Sequence, residues 1–105
     1  MEIVNEKSTS IVALTFRDDG GALVTPSGGT YRIDDAASGT EIKAETAFTP
    51  AGSNHDITIS GTENRILDAA RNMEERIVTV SFTYGAGKDG NGEYRYGVKN
   101  LAKIS

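Results

Sequence analysis

The sequence predicts an all-β antiparallel sandwich of about seven strands carrying one short helix. Three observations predict it. Apolar and polar residues alternate with a period of two in several short stretches. Turn signals built from Gly, Pro, Asp and Ser separate those stretches. Only one stretch has helical spacing instead. The 105 residues are the size of one domain, and neither an internal repeat nor a linker divides them, so residues 1–105 are read as a single unit.

The elements follow in chain order. Met1 to Val4 reads as a short edge strand. In Ser10 to Arg17, Val12, Leu14 and Phe16 fall on one face and Ile11, Ala13 and Thr15 on the other, which suits a central strand. Asp18-Asp19-Gly20-Gly21 is a turn, since Asp caps its own turn and Gly tolerates positive φ. After Pro26-Ser27-Gly28-Gly29, Tyr31 and Ile33 alternate with Thr30, Arg32 and Asp34. A turn ending at Ser38-Gly39 leads to Glu41 to Ala47, a weak edge strand whose charges guard it against other strands. Pro50 to Asn54 is a loop, and His55 to Ser60 alternates again around Ile57 and Ile59.

Ile66, Ala69, Ala70 and Met73 then sit at helical spacing, with Thr62 as cap and Arg71 late, where a cation suits a helix C-terminus. The expectation is a helix of two to three turns over Thr62 to Met73. Its two Ala and one Met give a thin footprint that covers the core rather than builds it. Arg71, Glu74, Glu75 and Arg76 read as a solvated turn. Arg76 to Tyr84 is the strongest strand, with Val78, Val80, Phe82 and Tyr84 on one face. Gly85 to Gly92 holds four glycines and reads as a long mobile hairpin loop. Glu93 to Val98 returns as a strand with Tyr94, Tyr96 and Val98 inward, and Leu101 and Ile104 tie down the tail. Strands at this spacing fit the immunoglobulin-like sandwich architecture, although the disulfide and core Trp of antibody domains are both missing. The expected core is Val12, Leu14, Phe16, Tyr31, Ile33, Ile57, Ile59, Val78, Val80, Phe82, Tyr94 and Tyr96.

Composition narrows the function. Lys plus Arg is 11 against 15 for Asp plus Glu, a net charge of -4, so the basic footprint of nucleic-acid binding is missing. No apolar run reaches membrane-spanning length, and the start lacks the basic flank and apolar stretch of a signal peptide, so Met1 reads as a genuine start. The chain has no Cys, which fits a cytosolic life or assembly.

No residue pattern demands chemistry. His55 is the single His and stands beside Asp56 with no triad pattern around it. Zinc needs three or four ligands, which one His and no Cys do not supply. Asp18, Asp19, Asp34, Asp35 and Glu41 lie in or near turns but lack calcium-loop spacing. Gly85-Ala86-Gly87-Lys88 hints at a phosphate loop, yet Phe82 stands where the first Gly belongs and Asp89 where Ser or Thr belongs. The reading is therefore no enzyme, no metal and no cofactor. The candidate partner-binding loop comprises Gly85, Gly87, Lys88, Asp89 and Asn91. Tyr31, Tyr84, Tyr94 and Tyr96 could stack sugars if exposed, but alternation gives Tyr84, Tyr94 and Tyr96 to the core.

A resemblance adds to this. Phe16-Arg17-Asp18-Asp19-Gly20-Gly21, Thr25-Pro26, Thr30-Tyr31-Arg32-Ile33-Asp34-Asp35 and Gly39-Thr40-Glu41-Ile42 resemble small immunoglobulin-like proteins encoded among tailed-phage and prophage structural genes. Asn64-Arg65-Ile66-Leu67, Glu74 to Val80 and Tyr94 to Leu101 extend the likeness over most of the chain, while Tyr31 stands where many relatives would have Trp. The resemblance implies a non-catalytic virion or head–tail assembly component. Its partners would be virion proteins or further copies of itself, and it would reside in the virion or, before assembly, in the host bacterial cytoplasm. The rival reading is a carbohydrate- or host-surface-binding recognition module, which requires exposed aromatics along a groove.

Overall fold

Alternation drives seven strands into two facing sheets, and the helix does not form. The computed structural model describes residues 2–85 and 87–101, so the expected roles of Met1 and Ile104 lie outside the described residues. The strands are β1 (Glu2–Asn5), β2 (Ser10–Thr15), β3 (Gly28–Asp35), β4 (Glu41–Phe48), β5 (Asn54–Ile59), β6 (Met73–Tyr84) and β7 (Lys88–Lys99). One sheet runs β1-β7-β6-β3-β4, and β2 pairs with β5 in the other. Every pairing is antiparallel except β1 with β7. The seven strands in two sheets make an all-β sandwich.

The core lies between the sheets. Val12, Phe16, Ile57 and Ile59 from the β2–β5 side meet Tyr31, Ile33, Val78, Val80, Tyr96 and Val98 from the larger sheet. Leu14, Phe82 and Tyr94 are only half-buried, because they line an open groove at the side of the sandwich. Leu101, expected to anchor the tail, is exposed and makes its backbone bond to Glu6 Oε1 instead.

One glycine makes room for the Phe82 ring. Gly29 and Gly90 are the cross-strand neighbours of Phe82 on either side. A Cβ at Gly90 would lie 2.3 Å from Phe82 Cζ, whereas one at Gly92 would meet nothing within 4 Å. Gly90→Ala is therefore expected to cost about 1–3 kcal/mol through overpacking. Gly92→Ala, two residues along the same strand, should be near neutral; urea unfolding of the two variants makes the comparison.

The expected helix at Thr62 to Met73 is corrected to an irregular segment. A single turn does begin: Ser60 N donates to Glu63 Oε1 (2.9 Å), Glu63 N donates to Ser60 Oγ (3.2 Å), and Asn64 N donates to Ser60 O. This is a capping box with Ser60, not Thr62, as the cap. Beyond it the backbone makes one local bond of its own, Arg71 N to Asp68 O, and several bonds to side chains. Leu67 N and Asp68 N donate to the Glu74 carboxylate, and Arg65 O accepts from Arg76. Ala69, Ala70 and Met73 are exposed, so their stripe buries too little apolar surface to offset helix nucleation.

Candidate interaction surface

The β6–β7 hairpin dominates a molecule 51 Å long and 21 Å wide. Its twelve-residue strands stay in register from Met73↔Lys99 to Tyr84↔Lys88 without a bulge. The expected loop at Gly85 to Gly92 is thus corrected: Lys88 to Gly92 belong to β7, and the turn is confined to the tip. Gly85 (φ 57°) and Gly87 (φ 81°) supply the left-handed backbone that the turn needs. Lys88 faces Asp19 at 3.6 Å, and Asn91 Oδ1 accepts from Ser81 Oγ. The glycine content misled because Gly90 serves packing under Phe82 rather than flexibility.

One edge of β7 is only partly covered. Among the described residues β1 pairs with Tyr96 to Lys99 alone. Glu6 N donates to Lys99 O, so Lys99 and every second residue before it turn their backbone groups toward that edge. Asp89, Asn91 and Glu93 fall in this set, and among the described residues no strand pairs with them there. Beside this edge runs a groove of about 370 Å³, walled by Ala13 to Arg17 and Asn91 to Tyr94 and floored by Val80 and Phe82.

The opposite end of the sandwich holds buried charge, which the sequence reading placed in a solvated turn. Glu74 is 2% exposed and Arg76 0%. Arg76 bonds Asp35 Oδ1 and Glu74 Oε1, each at 2.8 Å, and Arg65 O at 2.6 Å, while its Nε has no partner among the described residues. Burial pushes the Asp35 carboxyl up, but the Ser38 hydroxyl and N–H, with Arg76 and Arg71, outweigh it and hold the group below its usual value. The signal was legible: continuing the Tyr84-Phe82-Val80-Val78 face back along β6 reaches Arg76 and Glu74.

Asn64 stands beside this network. It donates to Ser8 O and Ser10 Oγ and accepts from the Tyr96 hydroxyl at 2.8 Å. Burial pushes the Tyr96 phenol up to about 12, from 10.0. A raised folded-state value means that Tyr96 contributes fully below pH 10 and loses its contribution as the pH rises toward 12. Tyr96→Phe should cost about 1–3 kcal/mol at pH 7 by leaving Asn64 Oδ1 without its donor. It should also flatten the fall in stability above pH 10; urea unfolding of both proteins at pH 7 and at alkaline pH measures the two effects.

The remaining candidate groups are dispersed. His55 stacks on Phe48 with ring centres 4.8 Å apart. Asp18 Oδ1 accepts from Gly20 N and Ala22 N, as a turn former does. Asp34 and Glu41 are cross-strand neighbours that share Arg32. Among the described residues no three His, Asp or Glu side chains stand together as a metal site, and no helix is long and apolar enough to cross a membrane. Tyr31, Tyr84 and Tyr96 are buried and Tyr94 half-buried, so the row of exposed aromatics that a sugar groove requires is not there. No family model, curated protein or solved structure matches the chain.

Proposed function

We propose that this protein is a non-catalytic structural component of a phage or prophage particle that works by binding other virion or head–tail assembly proteins. One observation carries the protein-binding part: a long, regular hairpin presents a strand edge that is unpaired among the described residues, next to an apolar groove. Natural domains cover or blunt such edges, and an edge left open is a standard place for a partner strand to add. The phage context rests on the sequence resemblance alone. Repeated copies in a particle make weak contacts sufficient, so a dilute protomer can be monomeric and still assemble. The test is the composition of purified particles from a bacterium carrying the gene, read by mass spectrometry together with the neighbouring genes. The protein in the particles and portal, capsid or tail genes beside it support the reading. Its absence from every particle, with the gene inside a metabolic operon, overturns it.

A further inference from the structure

The groove between β2 and β7 has the features of a strand-acceptor site, and we infer that it receives an extended segment of a partner protein with apolar residues at alternate positions and basic residues between them. This rests on the protein-binding reading and names its chemistry. Continuity comes first. β1 is already a strand laid on this edge of β7, and its first described residue, Glu2, stands opposite Tyr96. The edge runs on to Lys88, so an incoming strand would continue the column that β1 begins, with backbone bonds to Asp89, Asn91 and Glu93. Among the described residues β2 offers a second unpaired edge across the groove. Phe16 N donates to Ser53 O on the β5 side, so Ala13 and Thr15 turn their backbone groups to the groove side.

The side-chain pattern follows from the period of two. Inward positions of the added strand would stand beside Gly90, Gly92 and Tyr94, above Leu14, Phe16 and Phe82. Gly92 leaves space open there, so apolar side chains fill it. Outward positions would stand beside Asp89, Asn91 and Glu93. Asp89 has no ion pair among the described residues, and Glu93 holds Arg95, which Glu75 also holds at 2.7 Å. An outward Lys or Arg complements this edge, and an acidic residue opposes it.

The probe is the peptide Val-Lys-Val-Lys-Val-Lys-Val, blocked at both ends, titrated into the full chain while backbone amide resonances are followed. A Glu-for-Lys version is the control. Saturable shifts confined to Ala13–Arg17 and Lys88–Arg95 are expected, with the acidic peptide at least about tenfold weaker. Asn91→Pro removes an edge-facing N–H without breaking the β6 ladder, and Gly92→Val fills the groove from a position with open space. Each should weaken binding at least about tenfold while leaving the melting temperature within a few degrees; if one fails to fold, the other decides. No shifts at millimolar peptide, shifts elsewhere, or undiminished binding by the folded variants overturn the inference. Such a failure leaves the particle assignment standing, because particle composition decides that separately.

Discussion

Arg76→Ala is expected to lose about 3–5 kcal/mol of stability, the cost of breaking a buried ion pair and leaving its partners charged inside the protein. In a domain of this size that lowers the melting temperature by roughly 15–30 °C. The guanidinium ties β6 to Asp35 at the end of β3 and to Arg65 in the irregular segment, so three parts of the chain loosen together. Arg76→Lys should recover only part of the loss, because one ammonium does not reproduce the planar fork. The acid limb supplies a second readout. The Asp35 value is depressed, so its contribution is present above its ordinary value of 3.8 and is lost as the pH falls through the lower folded-state value. Without Arg76 that depression shrinks, and urea unfolding at pH 7 and between pH 2 and 5 should show a shallower acid dependence in the variant.

Asn64→Ala is expected to cost about 2–4 kcal/mol, since the Tyr96 hydroxyl and Ser8 carbonyl each lose a buried partner. The loss should be concentrated in one region. Lys7 N donates to Asn64 O, and Asn64 N to Ser60 O, so this residue joins the β1–β2 connection to the segment after β5. Amide exchange in residues 61–72 should accelerate more than in β3 or β6. A variant that melts as the parent does would show that Asn64 is not the pin described above.

These two residues also mark where sequence reading stopped. The strands were legible because Val12-Leu14-Phe16, Tyr31-Ile33 and Val78-Val80 alternate, and a period of two has one meaning when one face is dry. The segment after β5 misled for a physical reason. Ile66, Ala69, Ala70 and Met73 carry a helical period, and Ser60 with Glu63 starts a turn, but what competes for the backbone is remote in sequence. Glu74, Arg76 and Asn100 take the amides and carbonyls that a helix would use. The glycines of β7 misled in the same way, because the ring that requires Gly90 belongs to Phe82 on the strand before it. The open edge was not legible, since it depends on which residues of β7 the described part of β1 covers.

An ordered β7 with one open edge leaves a distinct signature in residue-resolved amide exchange of the isolated protein. Gly90 and Gly92 pair with Phe82 and Val80 on β6 and should exchange slowly. Asp89, Asn91 and Glu93 point the other way and should exchange fast, giving a slow–fast alternation along the strand. Uniformly fast exchange from Lys88 to Glu93 would mean a glycine loop and not a strand, and uniformly slow exchange would mean an edge already covered; either result contradicts the account.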